Sequence, residues 1–302
     1  MRVAILGCGK SPKPGQMEPT TDIMVRMLKG SMATGILTGW LESLRRDNEP
    51  IPYITPCVRS EKSADRLRQT LWRYDEGIHP RVNRNVEAAG SSNVVILGHK
   101  PYQVKQVLGE KGMAEALRGK MIISILAGVT TGQIQGTLAP EGPHFDIIRV
   151  MPNIGARLGE SMTLISDPHN VSADLLNFTM ELFGRIGRVV EVSEATFDTG
   201  TVLTGACHAL TTIALEGLID GAVLEGLPRP TVLEIAAQCF KGLTQMLQQG
   251  EHPAVIRESI SSPGGATITG TVELERHSVR SAFSDAVIKA TTHTRTMARR
   301  QD

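Results

Sequence analysis

Short apolar runs alternate with helical patterns through the first two-thirds of the chain. Residues 2–6 (Arg-Val-Ala-Ile-Leu) form the first run and end at Gly7, and similar runs recur at Ile54–Val58, Val94–Leu97, Met121–Leu126 and Ile147–Val150. Continuous apolar runs of this length predict strands buried on both faces. Between them, Ala64–Tyr74 and Val104–Leu117 carry apolar residues at helical spacing, and strand-helix alternation predicts a parallel sheet covered by helices on both sides. Two further strands are predicted at Met162–Ser166 and Arg188–Val192, around a helix at Ala173–Phe183. After residue 193 the pattern becomes wholly helical. From Thr201 to Gly226, Val202, Leu203, Ala206, Leu210, Ile213, Ala214, Leu218 and Val223 cover most of a helix surface, which predicts burial between helices or against another subunit. Val232, Ile235, Ala236, Cys239, Leu243, Met246 and Leu247 give a narrower stripe at spacings of three and four. No internal repeat is visible. The division expected is an α/β domain over 1–193 and a helical domain over 194–302.

Composition narrows the partners. Thirty-two basic residues balance 31 acidic ones, with no basic block, so nucleic acid is a poor candidate. Four scattered cysteines (Cys8, Cys57, Cys207, Cys239) form no Cys-x-x-Cys pair and indicate neither a disulfide framework nor a zinc site. The eight histidines show no metal-ligand spacing. The apolar start is too short for a signal peptide and no stretch approaches a membrane span, so a soluble cytoplasmic protein is expected.

Candidate chemistry sits at strand ends. Gly7-Cys8-Gly9 follows the first run, where the phosphate turn of a dinucleotide fold belongs. The continuation Lys10–Thr21 carries Pro12, Pro14 and Pro19, which oppose a helix start. Joining Gly9 to Ser31-Met32-Ala33 restores a Gly-x-Gly-x-x-Ala fingerprint opening an amphipathic helix, so residues 10–30 read as an insertion. Two accounts stand. The segment is a loop that bulges away from the pyrophosphate, or it is an intron translated in frame, which codons for Gly9-Lys10-Ser11 and Lys29-Gly30 permit. At the end of the second run, Arg59-Ser60 occupies the position where NAD enzymes place a carboxylate. Arginine plus a hydroxyl suits a ribose 2′-phosphate, and a solvated surface arginine is the plainer alternative. Near the C-terminus, Glu258–Gly270 runs from a polar turn (Ser262-Pro263-Gly264-Gly265) into Ala266-Thr267-Ile268. Glycines admit close backbone approach, and a helix start offers unpaired N–H groups, so the turn suits a small carboxylate beside the Thr267 hydroxyl. Thr267 as an ordinary helix cap is the simpler alternative.

Together with Lys100-Pro101 and Val150-Met-Pro-Asn153, that turn closely resembles the signature of the pyrroline-5-carboxylate reductase family, in a fungal-like form, over nearly the whole chain outside residues 10–30. The resemblance implies a doubly wound Rossmann-type α/β domain followed by an all-helical dimerisation domain. It implies NADPH as cofactor, with NADH the second choice, and hydride transfer to a cyclic C=N bond giving L-proline. It assigns Gly7, Cys8, Gly9, Ser31, Met32, Arg59, Ser60, Asn85, Gly98, His99, Lys100, Pro101, Ala127 and Gly128 to the cofactor. Lys100, Ser262, Gly265, Ala266 and Thr267 go to the substrate, with Thr267 the catalytic partner of the ring nitrogen, and no metal is required. It also implies a homodimer of interleaved helices and larger rings of dimers.

One departure stands out. Where the family reads Ser-Gly-Ser-Gly-Pro-Ala, this chain reads Thr204-Gly-Ala-Cys-His-Ala209. Replacing Gly-Pro by Cys207-His208 removes a helix kink and adds bulk. His208 is then either an added substrate contact or a packed interfacial histidine. A related cyclic imino acid as substrate, and an inactive dimerising homologue with a broken phosphate turn, are the competing readings.

Overall fold

The computed structural model describes residues 22–27, 31–166 and 171–299. Eight strands form one sheet in the order β3-β2-β1-β4-β5-β6-β7-β8. They are β1 (Asp22–Met27), β2 (Tyr53–Val58), β3 (Arg81–Val82), β4 (Val94–Gly98), β5 (Met121–Ser124), β6 (Asp146–Met151), β7 (Ser161–Ser166) and β8 (Gly187–Val192). β1 to β6 run parallel, as the apolar runs predict. β7 departs from an all-parallel sheet: it runs antiparallel to β6, with Val150 opposite Ile165, and then pairs in parallel with β8. The short Ile154–Leu158 turn between β6 and β7 reverses the chain directly, with no helical crossover to keep the strands parallel.

The central strand is not where the first apolar run put it. Residues 2–6 and Gly7-Cys8-Gly9 lie outside the described residues, and Asp22–Met27 fills the place between β2 and β4. Ile23 pairs with Ile54 on one side and Val94 on the other. Part of the expected insertion thus supplies β1. A six-residue extended segment ending three residues before the next helix gives the short strand-helix connection such units favour.

Helices cover both faces. On one, α1 (Ser31–Arg46) and α7 (Ala173–Gly184) bury Ile36, Leu37, Trp40, Leu41, Phe178 and Phe183 against Val94, Ile96, Ile123 and Ile148. On the other, α3 (Asn85–Gly90), α4 (Val104–Leu108), α5 (Met113–Leu117) and α6 (Thr131–Leu138) pack on Val95, Leu97, Ile122 and Ile147. Adjacent strand residues therefore serve opposite faces, and each fully buried aliphatic side chain contributes about 1.5–3 kcal/mol. The single helix expected over Val104–Leu117 is two, because Gly112 takes a left-handed φ of 88° between them. The helix expected over Ala64–Tyr74 is α2 (Glu61–Thr70) followed by a 3-10 segment. Gly39 lets α1 approach the turn after β6: a Cβ there would lie 1.9 Å from the Ala156 carbonyl oxygen.

The rest is helical: α8 (Glu194–Leu224), α9 (Arg229–Gln248), α10 (Pro253–Ser259), α11 (Ala266–Arg276) and α12 (Val279–Arg299). Compactness divides the chain inside α8: residues 1–205 with 291–302 form one unit, and 206–290 the other. The first turns of α8 belong to the sheet unit for a physical reason. Phe197 is fully buried and stacks under the Arg149 guanidinium, 4.3 Å from the ring centre. Arg149, 2% exposed, pairs with Glu194 and with Asp198 at 3.2 Å, and Ser166 donates to Glu194 at 2.7 Å. This cluster roots α8 on β6 and β7.

By length and composition α8 is also apolar enough to cross a membrane, contrary to the expectation that no segment approaches a span. Its apolar positions cover most of its surface, which is the same property that predicts burial against another helix.

Candidate active site

The strand order reverses direction between β1 and β4, and ligands of open α/β sheets bind at the carboxyl ends of strands flanking such a point. The cofactor candidates that are described gather there. Arg59 and Ser60 follow β2, Asn85 follows β3, Gly98 to Pro101 end β4, and Ala127-Gly128 follow β5. Ser31 and Met32 open α1 directly after β1. Sequence reasoning thus selected residues from one rim of the sheet, although they are scattered along the chain.

Each position has a local cause. Arg59 is exposed. Ser60 is the N-cap of α2, its hydroxyl accepting from the Ser63 N–H at 3.4 Å, so the residue read as a phosphate contact also starts a helix. Asn85 is buried, and its amide donates to Glu110 at 2.7 Å. That bond holds the orientation of the Asn85 amide. The sequence pattern did not single out Glu110, because a lone Glu in a Gly-rich loop carries no periodic signal. His99 is buried with Nδ1 3.0 Å from the Lys100 carbonyl, while Lys100 itself is exposed and Pro101 begins a short 3-10 turn. Gly128 is buried with φ 70°, a conformation that favours glycine. Asn153 of the Met-Pro-Asn motif serves the fold: its side chain accepts from the Gly155 N–H at 3.0 Å, and its own N–H donates to Ser161 at 3.1 Å.

The second unit carries the substrate candidates. Ser262-Pro263-Gly264-Gly265 is a tight turn closed by the Gly265 N–H on the Ser262 carbonyl at 3.0 Å, with Gly264 at φ 69°. A Cβ at Gly265 would lie 2.4 Å from the Ser262 hydroxyl and 3.2 Å from the Ser262 carbonyl oxygen, so a side chain there would push that hydroxyl out of its present place. Gly265 is the N-cap of α11 and no side chain caps that helix. Thr267 is therefore not the cap. It stands exposed in the first turn beside Ala266, and the N–H groups that open the helix point out of its N-terminal end. Cys207 and His208 are exposed on α8, which continues unbroken to Leu224, as expected once the helix-breaking proline is absent.

These features define a dinucleotide-binding oxidoreductase with an appended helical unit, and the comparisons narrow the class. Residues 29–128 match the family described as NADP oxidoreductase coenzyme F420-dependent, and residues 194–297 match pyrroline-5-carboxylate reductase dimerisation. The pyrroline-5-carboxylate reductase of Lophium arboricola is 39% identical over 285 residues, covering 87% of this chain and 89% of its own length. That of Schizosaccharomyces pombe is 34% identical, covering 87% and 94%. Among solved structures, the Streptococcus pyogenes 1-pyrroline-5-carboxylate reductase superposes with TM-score 0.77 at 25% identity, covering 91% of this chain and 98% of that one. The Plasmodium falciparum enzyme with NADP bound shares the fold, with TM-score 0.79 at 22% identity over 93% of this chain and 99% of that one. The chain belongs to the pyrroline-5-carboxylate reductase family. It carries that family's dimerisation segment, and its substrate is a small molecule.

Proposed function

We infer that this protein reduces 1-pyrroline-5-carboxylate to L-proline with NADPH, the last step of proline formation. The observation that carries the reading is the uncapped N-terminus of α11 behind the Ser262–Gly265 turn, in a chain whose other unit holds a dinucleotide rim. The residues fit such a cofactor. Four successive strand ends offer glycines, an exposed arginine and a buried asparagine at the switch point, and no carboxylate stands at the end of β2.

The bound dihydronicotinamide supplies a hydride, and the chain's own groups do the rest. The N–H groups of Gly265, Ala266 and Thr267, with Ser262, hold the substrate carboxylate. The Thr267 hydroxyl bonds the ring nitrogen and stays paired as that nitrogen changes protonation, since a hydroxyl both donates and accepts. Lys100, exposed at the end of β4, is assigned to the substrate on the family resemblance alone. Gly98, His99, Pro101, Ala127 and Gly128 shape the nicotinamide side, Asn85, Arg59 and Ser60 the adenosine side, and Ser31 and Met32 the pyrophosphate side. Gly7, Cys8 and Gly9 fall outside the described residues and are assigned to the pyrophosphate on sequence alone. The enzyme works in the cytoplasm as a homodimer, and dimers assemble further into rings.

The test is a steady-state assay of the purified chain with NADPH and the five-membered imino acid, with L-proline identified by chiral chromatography. The six-membered analogue is run beside it. Preference for the larger ring would move the assignment to a related cyclic imino acid, with His208 the first residue to examine. No turnover of either would favour an inactive dimerising homologue.

A further inference from the structure

We propose that Arg84 is a second arginine for the 2′-phosphate of the cofactor and, with Arg59, sets the preference for NADPH. The proposal rests on the reading that the adenosine end lies at the tips of β2 and β3. These strands pair in parallel, Cys57 with Arg81 and Val58 with Val82. The ladder continues one step further, because the Asn83 N–H donates to the Val58 carbonyl at 3.0 Å. The residue after Val58 is Arg59, so its backbone leaves the sheet beside Asn83-Arg84. Asn83 then takes a left-handed φ of 54°, which asparagine tolerates, and the chain turns back over the strand ends. The Cys57 thiol donates to the Arg84 carbonyl at 3.8 Å and ties that turn to β2. Neighbouring strands lie about 4.8 Å apart, so two long guanidinium stems start close enough to share one phosphate.

The side chains are placed for it. Arg59 and Arg84 are both exposed, whereas the next residue, Asn85, is buried and held by Glu110. Arg84 therefore points away from the packed side of α3. Among the described residues it pairs with Glu87, at 3.1 Å, through side chains that are 60% and 57% exposed. An ion pair that open to water contributes little, while a guanidinium on a phosphate makes shorter, charge-assisted and often bidentate bonds. Exchanging Glu87 for the phosphate is therefore favourable. A ribose 2′-hydroxyl carries no charge to reward the exchange, so Arg84 discriminates between the two cofactors.

Calorimetric titration of the full chain with 2′,5′-ADP and with 5′-AMP isolates the 2′-phosphate without any turnover. Arg84→Met keeps the aliphatic stem and is expected to weaken 2′,5′-ADP roughly tenfold, the scale of one charge-assisted contact, and to leave 5′-AMP unchanged. Glu87→Gln releases the arginine and is expected to tighten 2′,5′-ADP about two- to threefold. Arg59→Met and the double variant complete a cycle in which two arginines on one phosphate give non-additive losses. If Arg59→Met weakens 2′,5′-ADP and Arg84→Met does not, the adenosine end is correctly placed and the role of Arg84 is overturned. Equal losses for both nucleotides would make Arg84 a residue of the turn's fold and overturn it as well. If neither substitution matters, the placement of the adenosine end itself fails.

Discussion

Thr267 illustrates how a single position is decided by its neighbours. The sequence left it between chemistry and helix capping, and the fold removes the second option, because Gly265 is the N-cap and α11 has no side-chain cap. Thr267→Ala is expected to lower kcat more than it raises KM, costing roughly 2–4 kcal/mol in the transition state, with little change in Tm. Thr267→Ser should retain much of the activity. A variant that loses stability yet keeps its kcat would return Thr267 to a structural role. Arg59 is proposed for a different reason: a strand end without a carboxylate is a local signal that one sequence carries. Arg59→Asp is expected to shift the kcat/KM ratio from NADPH toward NADH by tenfold or more, about 1.4 kcal/mol, through lost pairing and added repulsion. An unchanged ratio would leave Arg59 a surface residue. Arg84 and Glu110 escaped notice because their partners are 25 or more residues away in sequence or lie across a strand pair.

Elements whose period matched their burial were readable, and those decided by tertiary competition were not. The apolar runs at Ile54–Val58 and Val94–Leu97 became β2 and β4 because a strand covered on both faces needs uninterrupted apolar residues. The first strand is the exception. Val3-Ala4-Ile5-Leu6 is purely apolar and ends in Gly-x-Gly, whereas Asp22–Met27, which fills the slot, carries Asp22 and Arg26 and is followed by a single glycine before Ser31. Deleting residues 10–30 joins Gly9 to Ser31 and offers the slot to the more apolar run. The shortened chain is expected to fold and to bind NADPH at least tenfold more tightly, on the order of 1.4 kcal/mol, measured by fluorescence titration. Equal binding would show that residues 10–30 do not impair the cofactor site, and failure to fold would show that Asp22–Met27 has no substitute. The other hidden element property is the root of α8. Periodicity does not reveal that Arg149, in a buried strand, reaches Glu194 and Asp198 forty-odd residues later. Arg149→Met is expected to destabilise the sheet unit by about 3 kcal/mol, the lower end for breaking a buried pair, because both carboxylates keep some contact with water. Chemical denaturation measures it, and a loss below 1 kcal/mol would mean the carboxylates simply rehydrate.

At the scale of the whole molecule, the unusual property is how much apolar surface the helical region leaves uncovered. Leu203, Ile213, Leu218 and Leu224 along α8 are 56%, 65%, 60% and 85% exposed in the single chain. Leu233 and Ile235 on α9, each half exposed, and Ile288 on α12 extend the pattern, and all of them lie within the segment matched as a dimerisation domain. The sequence could show that α8 is apolar on most sides. It could not show which of those sides the chain itself covers, since that depends on how the helices pack. We expect a second copy to cover this surface in a twofold dimer, where every substitution enters twice. Replacing both Ile213 and Leu218 by Glu therefore places four carboxylates at the interface. Even a cost of about 3 kcal/mol for one unpaired charge from each copy amounts to roughly 6 kcal/mol, or about a ten-thousandfold weaker dimer. Sedimentation velocity at micromolar concentration is expected to show monomer for the double variant and dimer or a multiple of dimers for the parent, whose mass also decides whether rings form. NADPH binding should survive, because Arg59, Asn85 and Gly128 all belong to the sheet unit. A variant that stays dimeric would show that the exposed side of α8 is not the interface, and a different helix face would then have to hold the two copies together.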